Sequence, residues 1–127
     1  MSIRVIALFA FDGVQILDVT GPASVFGVAN TVSGREVYKI VIVSPGGGLI
    51  KSSCGVSLQT LALSKVSGSK IHTLLVGGGT TTVMLRAASH PITQKWIRSA
   101  PRQQSVSAPF APARSYLLLS VCLAKRV

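Results

Sequence analysis

The sequence predicts an α/β fold built on a parallel sheet. Continuous apolar runs of strand length occur at Ile3–Phe9, Val37–Val43 and His72–Val76. Turn signals follow them, namely Asp12-Gly13, Pro45-Gly46-Gly47-Gly48 and Gly77-Gly78-Gly79. Helical patterns stand between or after these strands. An apolar run without alternation suits a strand buried on both faces, the usual condition of a parallel sheet. Strand, turn and helix in alternation then give parallel strands joined by right-handed crossovers.

Each element has its own local reason. In Pro22–Ala29, the residues Val25, Phe26, Val28 and Ala29 form a short helical face. Gly21-Pro22 opens this helix, because proline lacks the N–H that would be unpaired at a helix start. Ser33-Gly34 closes it. Val37–Val43 is rich in β-branched residues and reads as the second strand. Leu49–Ser57 is weaker and reads as a hairpin containing Cys54-Gly55. Thr80–Ala88 and Pro91–Ser99 read as helices, the latter with Ile92 and Trp96 four apart on one face. The alternation fails after Arg102. Residues 103–115 show no helical or strand period, and three of the six prolines lie between Pro101 and Pro112. The chain therefore divides into an α/β domain at 1–102 and an irregular tail at 103–127.

At 127 residues the chain can bury one real core without disulfide or metal staples. With 48% hydrophobic and 13% charged residues it is not a disordered chain. Its apolar runs (Val5–Phe11, Lys39–Val43, Leu117–Leu119) fall far short of the roughly 18 to 20 residues that span a bilayer, so no membrane partner is expected. Met1-Ser2-Ile3-Arg4 leads straight into a strand, without the regions of a signal peptide. The two cysteines, Cys54 and Cys122, make no disulfide framework and fit a reducing, cytoplasmic setting.

The charge is uneven. Residues 1–89 hold seven Lys/Arg against Asp12, Asp18 and Glu36, a formal +4. Residues 90–127 hold Lys95, Arg98, Arg102, Arg114, Lys125 and Arg126 with no acid, a formal +6. A basic tail suggests nucleic acid by default. This one has no motif, no regular spacing and no stacking platform beyond Trp96 and Tyr116. A helix-turn-helix pattern is also lacking, so direct sequence-specific DNA binding is not expected.

Ligands of open parallel sheets bind outside the carboxyl ends of the strands. Two features fall there. Asp18 is an acid inside the mostly apolar stretch Gln15–Pro22, where burial disfavours a charge. It reads equally as a cap on the helix starting near Pro22. Gly77-Gly78-Gly79 lets backbone N–H groups approach a ligand or oxyanion. No Gly-Lys-Ser/Thr follows, so it is no P-loop. His72 and His90 sit at no ligand spacing from Cys54 or Cys122, so neither a metal site nor a cofactor is expected. His72 begins a strand and His90 is exposed near a helix start. Cys54 reads as a small, partly buried structural cysteine rather than a nucleophile.

Phe11-Asp12-Gly13-Val14-Gln15-Ile16-Leu17-Asp18-Val19-Thr20-Gly21-Pro22-Ala23-Ser24-Val25-Phe26 resembles the opening of the ThiJ/PfpI family, of the class I glutamine-amidotransferase-like superfamily. Tyr38–Ser44 with Pro45-Gly46-Gly47, Ser52-Ser53-Cys54-Gly55-Val56, Thr73–Gly79 and Pro91–Arg102 resemble later family segments in order. The resemblance covers residues 3–102 and implies a flavodoxin-like, doubly wound parallel sheet. The Leu-Asp-Val-Thr-Gly-Pro form is typical of two subgroups, the sensor-like domain of AraC-type transcription regulators and isonitrile-hydratase-like enzymes. Asp18 resembles the family's carboxyl partner of a nucleophilic cysteine. Gly78 and Gly79 resemble its donor turn.

The family pattern continues with a strand ending in Ser-Val-Cys-Thr-Gly and an Ala/Leu-rich helix. This chain has Ser105-Val106-Ser107-Ala108-Pro109 instead. The sheet is therefore expected to be incomplete, lacking the nucleophile elbow and later elements. The degenerate codons of Ala108–Cys122, read out of phase, permit Ser-Val-Cys-Thr-Gly-Ala-Phe-Leu-Leu-Ala-Ala-Val-Gly-Leu, the family continuation. A frameshift near Arg102 or Gln103 would also explain the missing acids and the lost periodicity. The resemblance then implies a truncated regulator sensor domain with a vestigial small-molecule pocket at Asp18, Gly78 and Gly79, and no thiol catalysis. The alternatives are a remnant of an isonitrile-hydratase- or amidase-like cysteine enzyme, and a short binding module using the basic tail. A sheet without its later elements leaves unpaired edges and uncovered apolar faces. Marginal stability and association, with a homodimer as one form, are expected. A sharp cooperative thermal transition of a monomer would count against this.

Overall fold

Ile6, Ala7, Leu8 and Phe9 are all buried, so the first strand is covered on both faces. A computed structural model of the chain describes residues 2–99 and 106–107. The strands are β1 (Arg4–Phe9), β2 (Tyr38–Ser44), β3 (Gly48–Lys51), β4 (Ser57–Ala62), β5 (Thr73–Val76) and β6 (Val106–Ser107). The helices are α1 (Leu17–Ser33), α2 (Thr81–Ser89) and α3 (Pro91–Ser99). Short 3-10 turns at Leu63–Lys65 and Gly68–Lys70 join β4 to β5. The sheet order is β3-β4-β2-β1-β5-β6. All pairs are parallel except β3 with β4. This is the doubly wound α/β class that the sequence predicts. The family elbow and the elements after it fall largely outside the described residues. Val106–Ser107 nevertheless pairs in parallel with Leu75–Val76, so this part of the expected irregular tail is a strand.

Register assigns the faces. Arg4, Ile6 and Leu8 align with Tyr38, Ile40 and Ile42, and Ile6 and Leu8 with Thr73 and Leu75. Aligned residues of parallel strands share a face. Phe26 of α1 meets the Tyr38 ring edge-on at 4.9 Å, so α1 covers this face. The β1-to-β2 and β5-to-β6 crossovers run in opposite directions along the sheet. Right-handed connections therefore put α2 and α3 on the other face. There Leu74, Val76, Met84 and Trp96 join the core. Leu75 and Thr73, on the α1 face, are only half-buried.

Several boundaries differ from the sequence expectation. α1 begins at Leu17 rather than Pro22, and Pro22 lies inside it. Proline deletes one helical hydrogen bond but does not prevent a preceding turn that tertiary contacts hold. Asp18 and Val19, both buried, supply those contacts. The expected hairpin exists, but its second strand starts at Ser57, where the expected segment ends, and runs to Ala62. Ile92 is 46% exposed, whereas Thr93 and Trp96 are buried, so the inward face of α3 is rotated by one residue. Trp96 is pinned by its Nε1–H, which donates to Val66 O at 2.7 Å.

Two polar devices set the sheet. Gly47 N–H donates to Ser44 Oγ, Ser44 and Thr60 hydroxyls meet at 2.6 Å, and Thr60 donates to Gly48 O. This relay satisfies the buried hydroxyls where β2, β3 and β4 converge. Gly47 has φ +70°, and a Cβ there would lie 2.6 Å from Ala62 N, which explains the glycine run after Pro45. Asn30 binds β2 to α1. Its Oδ1 accepts from Val37 N–H and Tyr38 N–H at 2.9 and 2.8 Å, and its amide donates to Tyr38 O at 2.7 Å. Asn30→Ala strands these groups and is expected to cost about 1–3 kcal/mol in urea unfolding.

Candidate functional site

The site lies at the carboxyl edge of β1 and β5. The chain leaves β1 through buried Ala10 and Phe11 and turns at Gly13, which has φ +87°. A Cβ on Gly13 would approach Val83 to 2.9 Å, so this turn lies tight against α2. Val14 is fully buried. α1 follows and delivers Asp18 in its first turn.

Asp18 Oδ2 accepts the backbone N–H of Gly78 at 2.7 Å across a separation of 60 residues. Gln15 N–H donates to Gly78 O at 2.8 Å, so one peptide turn is gripped from both ends. The structure thus brings together Asp18 and Gly78, two of the residues singled out in the sequence. Asp18 is no cap: α1 has no side-chain cap hydrogen bond. The Gly78 N–H is engaged by Asp18, and the carboxyl group is itself buried. Gly79 packs against the same turn, its Cβ position 3.3 Å from Gly13 O. Gly77 admits no side chain, because a Cβ would lie 2.5 Å from Val14 Cγ2.

Sequence reasoning missed three hydrogen bonds that hold this loop. Gly13 N–H donates to Lys51 O and Ser53 N–H donates to Val14 O, both near 2.9 Å. Asp12 Oδ1 accepts from Lys51 N–H at 2.9 Å. The β3–β4 turn is therefore tied to the loop that carries Asp18. Asp12-Gly13 signalled a break, but nothing local marked its partner 39 residues away.

Cys54 sits in that turn. It is exposed, not partly buried as expected, because Ser52 alone points inward there. Ser52 Oγ lies 3.3 Å from its sulfur. The Ser52 hydroxyl, and next the Val56 backbone, hold the thiol below its ordinary range. His72, expected to begin a strand, lies exposed just before β5, and His90 separates α2 from α3, exposed as expected. Among the described residues no His, Cys, Asp and Glu cluster could hold a metal. No helix among them is long and apolar enough to cross a membrane. A cleft of about 270 Å³ between Arg4, Arg35 and Glu36 lies at the opposite, amino end of the sheet and shares no residue with the Asp18 site.

Three outcomes check this geometry. Asp18→Ala orphans the Gly78 N–H and is expected to lose about 1–3 kcal/mol in urea unfolding, while Asp18→Asn, which keeps an acceptor, loses less. Gly77→Ala forces overlap with Val14 and costs about 1–3 kcal/mol. Cys54 alkylation is expected to rise with pH at a lower midpoint than an ordinary thiol, and Ser52→Ala moves the midpoint upward.

Comparison with known proteins places this geometry. No family model matches the chain. It is 35% identical over 82 residues to the HTH-type transcriptional regulator GlxA of Rhizobium meliloti, covering 63% of this chain and 25% of that protein. It is also 35% identical over 75 residues to an uncharacterized protein from the cpoL 5' region of Streptomyces lividans, covering 59% and 51%. The chain thus spans from a quarter to about half the length of these curated relatives. A ThiJ/PfpI family protein from Pseudomonas syringae superposes with TM-score 0.70 at 23% identity, over 96% of this chain and 47% of that one. DJ-1beta of Drosophila melanogaster gives 0.73 at 15%, over 94% and 61%. A proposed transcriptional regulator from Vibrio parahaemolyticus gives 0.72 at 15%, over 95% and 62%. The chain therefore has the fold of the ThiJ/PfpI and DJ-1 proteins, and over 82 residues its sequence is similar to an HTH-type transcriptional regulator.

Proposed function

We propose that residues 3–102 are the N-terminal part of a ThiJ/PfpI-like sensor domain of an AraC-type regulator. The observation that carries this reading is the 35% identity to GlxA, joined to the Asp18–Gly78 bond at the ligand-binding edge of the sheet. In this reading Asp18 and the Gly78-Gly79 turn line a small-molecule pocket, and the chain itself neither reads DNA nor performs thiol catalysis. Activated thiol chemistry needs a low-pKa cysteine with a charge partner and oxyanion donors. The sequence supplies Ser107, not cysteine, on the strand beside β5. Cys54 lies in the β3–β4 turn instead. The out-of-phase codons from Ala108 support a shifted reading frame as the origin of the tail.

Sequencing the coding DNA and the region beyond it is the test. Codons that spell the cysteine elbow one frame away, followed downstream by a helix-turn-helix region, are the expected result. An early stop in that frame favours the hydratase- or amidase-like enzyme. Codons that do not spell the motif overturn the frameshift. Turnover of an amide or isonitrile that is abolished by thiol alkylation would contradict the non-catalytic reading.

A further inference from the structure

Residues 37–99 hold seven Lys/Arg and no acid. Four of these cations gather where α3 packs on the two 3-10 turns that join β4 to β5. Lys65 ends the first turn and Lys70 the second, and both are exposed. The inward positions of these turns are Leu63 and Gly68, both buried. Lys95 and Arg98, three apart on the outer face of α3, are exposed, whereas Thr93 and Trp96 are buried. The Trp96 Nε1–H bond to Val66 O clamps the helix on the turns. Lys95 adjoins Trp96 as Lys65 adjoins Val66, so the charges belong to one surface.

We propose that this surface grips the phosphate backbone of duplex DNA, without regard to base sequence. The proposal does not rest on the sensor reading. The charge of the surface is uncompensated, because the three acids of the chain stand elsewhere. Asp18 is buried against Gly78, Asp12 accepts from Lys51 N–H, and Glu36 lines the amino-end cleft with Arg4 and Arg35. Exposed Ser64, Ser67 and Ser69 stand among the lysines of the two turns. Lysine, arginine and serine are side chains that meet phosphate oxygens and position a protein on a duplex without reading bases.

The composition of the surface selects this partner over other polyanions. Protein interfaces centre on apolar and aromatic anchors and are poor in lysine, whereas here Trp96 is buried and the lysines are outermost. An anionic membrane needs an apolar face beside the charges, and among the described side chains of α3 the large apolar group exposed is Ile92 alone. Single strands are held by bases stacked on aromatic rings, and no aromatic ring among the described residues is exposed. Duplex RNA is recognised across about 16 base pairs, far beyond the reach of a nine-residue helix about 14 Å long. B-form DNA presents one phosphate charge per roughly 1.7 Å of axis, so a short basic surface suffices.

Fluorescence anisotropy of a labelled DNA duplex titrated with the full chain, at salt from about 50 to about 200 mM, is the test. Four neutralised phosphates contribute about −3.6 to the slope of log Kobs against log[salt], so affinity falls at least about 100-fold over that range. Two duplexes of unrelated sequence should bind alike. Lys65→Gln, Lys70→Gln, Lys95→Gln and Arg98→Gln should each make the slope shallower by about one, with unchanged far-UV circular dichroism. Lys51→Gln, on β3 and away from this surface, should leave the slope as it is. A wild type that does not bind the duplex at low salt overturns the proposal. So does binding that survives all four substitutions but is lost with Arg114→Gln, Lys125→Gln and Arg126→Gln, which would place the contact on the tail. Retention on phosphatidylserine vesicles without binding to DNA would assign the surface to a membrane, and overturn it likewise.

Discussion

The bond from Gly78 N–H to Asp18 Oδ2 is the constraint around which the carboxyl edge is organised. It joins the first crossover to the turn between β5 and α2, which no local signal connects. Its return arm, Gln15 N–H to Gly78 O, fixes the peptide's orientation. Buried polar groups must be paired, and here each partner satisfies the other across the sheet. Other features follow from that approach. Gly77 has no room for a side chain beside Val14. Gly13 turns with positive φ to bring the loop back. The β3–β4 turn is then tied to the loop through Val14 and Lys51.

The same arrangement leaves chemistry at the edge without committing it. A carboxyl group held on a glycine turn, beside the ends of parallel strands, is a position from which a ligand can be gripped. Cys54 is close in the chain's wiring but faces solvent, and its low thiol range comes from its neighbour Ser52 rather than from the acid. The reading as a sensor therefore rests on relatives and on the placement of Asp18, while the thiol belongs to a different turn.

The sheet was legible because its strands are continuous apolar runs, and both faces of β1 are in fact buried. Strand ends were legible because glycines mark them, as Gly47 shows with its contact to Ala62. α1 was misjudged at its start because Pro22 is a strong local signal for a helix N-terminus, whereas burial of Asp18 and Val19 holds an earlier turn. Ile92 was misjudged because a spacing of four fits one helix face as well as another, and only the position of Val66 O decides where Trp96 points. Asn30, in the penultimate turn of α1, carries no signal at all, since its partners Val37 and Tyr38 become neighbours only when β2 is laid beside β1.

By itself, the sequence determined the alternation of strand and helix, the parallel class of the sheet, and the prominence of Asp18 and the three glycines at 77–79. Those depend on periodicity and on residue chemistry, which are local. Tertiary structure decided that Asp18 binds Gly78 instead of capping a helix, that Cys54 is exposed, and that one flank of α1 is left apolar and uncovered. Each of these depends on which distant segment arrives at a given surface, and that is set by crossover direction and sheet order.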